Sequence, residues 1–491
     1  MGSRSAHSLG VPSEAATPRL EDPGLADFSM ALSHYIVGMF YDSRGKVPEA
    51  VEEYKKAREF RRDIGSIYVK LGADFLLLGK TERASDELDK ALKLDPDNKQ
   101  AHLLVALVFI ANGEYDKAKN CYEEMLGRDP DDLRTMAFLA DLLVSQGRFD
   151  EAVETYEKML RISRDDTVLY FNLGMIYSKT NQLEKAEQSL KRAIEIDSDY
   201  VEAQTVLGLV YEVEGNIKLA IRQYEAAIEI DPLNKGPYAR AGQLYYKLGE
   251  KDKALKNFRM MGRIDPELDE PYLKIFGIHV IDKAYGEAED ILREALENGA
   301  DSGEIYAGLG YLATATKNYK EAANYYEAAV AKNSENNRYW LYFGLAVNDA
   351  GERERAIEIL EERVQTGKAS SDIYNCLGYL YATSGDELDR ALALIEEALA
   401  AEPANGAYND SLGWVFYQKG MYRKALEYTI KADEYFPQSA TVKEHLGDIY
   451  LKLGDSKKAE EAWQELLKFD PDNTIVKEKM KRLKDLTKGR K

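Results

Sequence analysis

The chain has 491 residues, 45% of them hydrophobic and 31% charged, which is enough apolar material for a core and too much for a mainly disordered polypeptide. Sixty-six basic residues against 86 acidic ones leave a formal charge of −20, which argues against nucleic acid or anionic lipid as partner, because phosphate binding needs a basic surface. Cys121 and Cys376 are too far apart in sequence to organise a disulfide framework, the five histidines form no metal-ligand cluster, and no run approaches the ~18 apolar residues of a membrane helix.

Residues 1–30 are rich in Ser, Gly and Pro and read as a flexible N-terminal tail. They open MGSRSAHS, with no apolar stretch of a secretory signal, and Ala6 stands where a myristoylation pattern requires Ser or Thr. The sequence as given therefore places the protein in the cytoplasm; a signal missing from its start would place it in the periplasm or at the envelope.

From Ala31 the chain repeats every 34 residues. Thirteen units start at 31, 65, 99, 133, 167, 201, 235, 269, 303, 337, 371, 406 and 440, with one extra residue near Gly385, and the array ends at Asn473. The eighth position is small, as at Gly38, Gly72, Gly174, Gly208 and Gly447. The fifteenth is glycine in most units, for example Gly45, Gly215 and Gly454, or Asn181, as a left-handed turn between two helices requires. The twentieth is alanine in every unit, from Ala50 to Ala459, so two helices come close there, and the eighth-position glycine reads as the matching small residue on the other helix. Proline falls at unit ends (Pro96, Pro130, Pro232) or in first helical turns (Pro48, Pro237, Pro271), never inside a helix. Unit 269–302 departs from the pattern, with Phe276 in place of the small residue and Lys283 in place of the turn glycine, and a local change of packing angle is expected there. Residues 474–491 form a C-terminal capping helix and basic tail, with Ile475, Val476, Met480, Leu483 and Leu486 towards the last unit.

Unit 201–234 carries the pattern well, with Leu207, Gly208, Tyr211, Gly215, Ala220, Tyr224, Ala227 and Pro232. This resembles the tetratricopeptide repeat. The resemblance implies an all-α superhelical solenoid of thirteen helix-turn-helix repeats with a capping helix, and it is nearly silent on ligand. The block 371–473, with YNCLGYLYATSGDELDRALALIEEAL, AYNDSLGWVFYQKGMYRKALEY and VKEHLGDIYLKLGDSKKAEEAW, looks like the C-terminal module of a widespread group of bacterial tetratricopeptide proteins, many of them exported or outer-membrane lipoproteins.

No catalytic, metal or cofactor site emerges, and no cofactor is expected. The Gly308-Leu309-Gly310 stretch fits a loose dinucleotide fingerprint but lies inside a first helix with no strand before it. Asn409-Asp410-Ser411 spells a glycosylation sequon on a helix. Cys121 reads as a small buried filler, and Cys376 has nothing basic in its own helix to activate it.

In this family the second, fifth, ninth and twelfth positions of the first helix line the concave groove, so their composition is what can be read for function. Val69, Ala73, Leu76, Leu103, Leu107 and Ile110 make one apolar patch, for an amphipathic helix, the N-terminal tail or a second copy of the chain. Tyr311, Tyr342, Asn348, Asn375, Tyr379, Asp410, Trp414 and Tyr417 make a second, with aromatic area and amides suited to an extended peptide; the alternative is that these rings pack on one another. The Lys/Asn pair of the chaperone-tail clamp is missing, and Asn172 is the only sixth-position asparagine, so the asparagine ladder of sugar-transferase superhelices is missing too. The sequence thus reads as a non-enzymatic scaffold for other proteins or peptides. The alternatives are an envelope-associated assembly factor and a regulatory subunit of a separately encoded enzyme. Self-association is compatible with either apolar face.

Overall fold

The structure, a computed structural model, describes residues 23–488, which hold 27 α-helices and no strand. The chain divides into two compact units, Met1–Asp231 and Pro232–Lys491. In the first unit, helix pairs follow one another, with thirteen-residue first helices beginning at Gly65, Lys99, Leu133, Thr167 and Val201. In the second unit, first helices begin at Lys235, Asp269, Gly303, Asn337, Ser371, Gly406 and Ala440, and Thr474–Lys488 closes the chain. Within each unit every first helix packs on its own second helix, which packs in turn on the next first helix. No single pair can bury its apolar faces alone, so the core is continuous along each stack.

The chain's first helix is Pro23–Asp42, so residues 23–30, assigned to the tail on composition, are helical instead. Residues 1–22 lie outside the described part. In the closing helix Val476 and Leu483 are buried and Met480 packs beside them, but Ile475 points outward; the Leu486 side chain is outside the described part.

All thirteen twentieth-position alanines are fully buried. The eighth-position glycine has a different partner from the one expected. A Cβ on Gly208 would lie 2.6 Å from the Tyr224 ring, on Gly242 2.7 Å from Phe258, and on Gly72 2.6 Å from Leu88. The glycine therefore receives the large residue at the twenty-fourth position of the second helix, and small meets large rather than small. The same rule explains Gly308-Leu309-Gly310. Gly310 receives the Tyr326 ring, while Gly308 faces Leu292 and the Phe276 ring of the preceding unit. Phe276, in the unit that breaks the pattern, is thus matched by a glycine one unit later.

The turn glycines adopt the left-handed conformation, and so do Asn181, Lys283 and Lys317 at the same position, with φ of 59°, 59° and 62°. The turn is kept in unit 269–302 although the glycine is gone, so tertiary packing overrides the local preference. The extra residue of unit 371–405 is absorbed between Gly385 and Leu388, where Glu387 also takes a positive φ of 51°. Unit ends without proline at 299 and 367 use glycine instead, Gly299 and Gly367 being left-handed beyond shortened second helices. A device the repeat arithmetic did not show also recurs at the fourth position. There a side-chain donor bonds a loop carbonyl six residues back: Tyr68 to Arg62 (2.9 Å), Tyr272 to Pro266 (3.2 Å), Trp340 to Ser334 (2.9 Å) and Asn409 to Pro403 (3.2 Å). These bonds satisfy carbonyls that the helix ends leave without partners.

Candidate functional site

The two patches read from the sequence behave differently. In the first, Val69 is only 4% exposed and belongs to the core, so it offers no surface. Leu76 also packs against that core; Leu103 and Ile110 are half-buried, and Leu107 alone of the five is widely open. The reason is geometric. Successive first helices touch, as Gly65–Leu77 and Lys99–Ala111 do, so part of the stripe on one is covered by the next, and a position number does not say how far the neighbour extends over it.

In the second patch, Tyr311 and Tyr342 are 45% and 43% exposed, and Leu345 stands open on the same helix as Tyr342. Each tyrosine is braced from behind, Tyr311 edge-on to Phe276 at 6.4 Å and Tyr342 tilted over Tyr326 at 5.5 Å. Bracing leaves one ring face free and fixes its orientation, which lowers the entropy lost on binding. Asn348 and Tyr379 are half-exposed, and burial raises the Tyr379 phenol, with the Asp410 and Glu444 carboxylates adding to the effect. The Asn375 Oδ1 atom is enclosed without a hydrogen-bond partner.

Asp410, Trp414 and Tyr417 form a packed cluster with a residue not anticipated, His445. Buried Asp410 holds His445 Nδ1 at 3.0 Å from both carboxylate oxygens. The Trp414 indole lies between the His445 ring (4.1 Å, 17°) and the Tyr417 ring (4.6 Å, 8°), and Tyr417 meets Tyr422 edge-on. Here the rings do pack on one another. Beyond them, Lys479 of the closing helix donates to Glu444 (2.7 Å) and Asp448 (2.6 Å). Burial raises the Asp448 carboxyl against the opposing pull of Lys479. Glu444 and Asp448 occupy the fifth and ninth positions of the last unit, so the stripe rule could have found them. Nothing in the sequence paired His445 with Asp410 across 35 residues.

Cys376 has its thiol pushed up to about 12 by burial, with Asp349 and Asp372 adding to the effect, which disfavours the thiolate. A cleft of about 530 Å³ in the same unit, between Phe258, Gly262, Tyr272 and Asn298, does not include the aromatic residues above. No helix among the described residues is long and apolar enough to cross a membrane.

Comparison with known proteins gives matches of the repeat family in the second unit. Tetratricopeptide-repeat profiles match residues 440–473 and residues 283–330 and 315–372. The profile of the cilia and flagella-associated protein 70 C-terminal domain matches residues 30–241. The chain is similar to BBSome complex member BBS4 of Bos taurus, at 32% identity over a quarter (25%) of this chain and 23% of that protein. It is also similar to the antiviral innate immune response effector IFIT1 of Homo sapiens, at 24% identity over 40% of this chain and 47% of that protein. The chain thus spans less than half the length of either relative. The crystal structure of the APC/C hetero-tetramer Cut9–Hcn1 aligns with 92% of this chain and 96% of its own at 16% identity and a TM-score of 0.42. With repeat profiles matching in the second unit, one of them on unit 440–473 itself, and helix pairs following the 34-residue register, the chain is a tetratricopeptide-repeat protein.

Proposed function

We propose that the chain is a non-catalytic scaffold that holds a peptide segment of a partner protein against the first helices of units 303–370. The observation that supports this most is the pair of open, back-braced rings, Tyr311 and Tyr342, one unit apart and accompanied by the exposed Leu345. Aromatic side chains already fixed in place give large contact area at low entropy cost. Half-buried Tyr379 extends the same face. Trp414 and Tyr417 serve this reading as the packed end of the surface, not as contacts.

The test is affinity capture from the native organism with wild type and a Tyr311→Ala/Tyr342→Ala variant, followed by identification of the bound proteins. Loss of one captured partner at unchanged helicity supports the assignment. Capture unchanged by the double substitution discards this face.

A further inference from the structure

The helix Pro23–Asp42 carries the densest exposed apolar surface among the described residues. Leu25, Phe28, Leu32, Ile36 and Met39 form one stripe at helical spacing, and Ile36 is 56% exposed. A second stripe, Met30, Val37 and Phe40, runs beside it. The repeat itself shows what such a stripe is for. Thirty-four residues on, the positions of Ser33, Val37 and Phe40 are Ile67, Leu71 and Asp74, all buried, on a helix that packs against the preceding second helix, Val47–Phe60. The second stripe thus lies on the face that later units cover with a neighbouring helix, while Leu32, Ile36 and Met39 of the first correspond to Ser66, Lys70 and Ala73, which stay at least partly open.

We propose that a second copy of this chain covers it, the two Pro23–Asp42 helices packing antiparallel about a two-fold axis near Ser33. Three observations favour a copy over other occupants. First, eight side chains each exposing on the order of 100 Å² approach the ~800 Å² per partner of a standard interface. Second, the surface is self-complementary. Charge lies towards its ends, with Arg61 stacked over Phe28 at 5.6 Å near one and Arg44 stacked over Phe40 at 4.3 Å near the other, and the middle of the stripe is apolar, so that like faces can meet. Third, polar groups of the helix are engaged within its own unit, His34 held by Glu53 at 2.6 Å, Tyr35 packed on Tyr54 at 5.5 Å and Asp42 accepting from the Tyr54 hydroxyl at 2.6 Å, which leaves the stripe apolar. Residues 1–22 have only Leu9, Val11 and Leu20 as large aliphatic residues, with Pro12 and Pro18 between them, too little to supply a matching apolar face. A formal charge of −20 disfavours an anionic membrane.

Sedimentation velocity of the full chain over a wide range of micromolar concentrations tests this. The expected result is a reversible dimer, converted to monomer by Ile36→Glu/Phe40→Glu with helicity and melting retained. Ser33→Cys, at the centre of the exposed face, is expected to give a reducible cross-linked dimer under diamide beyond any that wild type forms through Cys121 or Cys376. A wild-type monomer at every concentration overturns the proposal, whether or not it floats with phosphatidylcholine vesicles, and flotation would assign the face to lipid. A dimer that survives the double substitution overturns it as well. Should that variant misfold, absence of the Ser33→Cys cross-link overturns it alone.

Discussion

Asp74 shows what a single side chain does inside such a stack. It is buried with one carboxylate oxygen unpartnered, facing the Asp42 carboxylate, which already accepts from the Tyr54 hydroxyl at 2.6 Å and from Lys70 at 3.3 Å. Burial first, and the Asp42 charge second, raise its carboxyl from 3.8 to about 7. Because the folded value lies above the unfolded one, the protonated acid's contribution is complete below pH ~4 and is lost as pH rises through about 7. Asp74→Asn is expected to flatten the pH dependence of melting between those limits and to stabilise the protein at pH 8 by roughly 1–3 kcal/mol. A melting profile as steep as wild type's would show that Asp74 is not the titrating group. At the turns, Lys283 and Lys317 hold left-handed conformations that glycine adopts freely. Lys283→Gly and Lys317→Gly should each raise stability by about 0.5–1 kcal/mol, measured by denaturant midpoint, since relief of the side-chain clash exceeds the added chain entropy.

At the scale of the helix pair, the alanine at position twenty and the glycine at position eight are both filled to contact. Ala220→Leu overpacks a fully buried position, and Gly208→Ala drives a methyl into the Tyr224 ring. Each is expected to cost roughly 1–3 kcal/mol in chemical denaturation, while Glu-to-Gln changes on outer faces cost far less. Equal effects would mean that the register is misassigned. This level was the most legible in the sequence, because a close approach excludes every side chain but the smallest and so leaves a mark at fixed spacing. Its partner was less legible. Leu88, Leu190, Tyr224, Phe258 and Trp463 all meet such a glycine, and a position that tolerates so many shapes leaves no residue-type signal. The candidate surface fell between these cases. The stripe rule placed Tyr311 on the open side, with Tyr342 beside the stripe, yet it also included Val69, which belongs to the core, and Trp414, which stacks with Tyr417 and His445. Enclosure depends on residues such as His445, 31 positions beyond Trp414 in the next unit, and periodicity is blind to which of those are large.

For the whole chain, each repeat contacts near neighbours, so stability is set locally and propagates weakly along the array. The three tryptophans, Trp340, Trp414 and Trp463, all lie beyond residue 231, whereas helices on both sides of it contribute to circular dichroism. Ala220→Leu is therefore expected to lower the dichroism midpoint while leaving the tryptophan fluorescence midpoint within error of wild type. Coincident shifts in both signals would reveal a single cooperative transition in place of a sum of local ones.

The glycine that receives a ring has an implication for how such a molecule can be re-engineered or can diversify. Since each bulky side chain and its recess belong to one helix pair, a cut inside a repeat separates complementary shapes, while a cut at the loop before residue 201 or 235 keeps them together. Exceptions are Phe276 and Leu292, which meet Gly308 of the following repeat, and Tyr339, which meets Gly303 of the preceding one, so repeats 269–302, 303–336 and 337–370 interlock across their boundaries. Grafting repeat 269–302 without its successor would leave an aromatic ring with nowhere to rest.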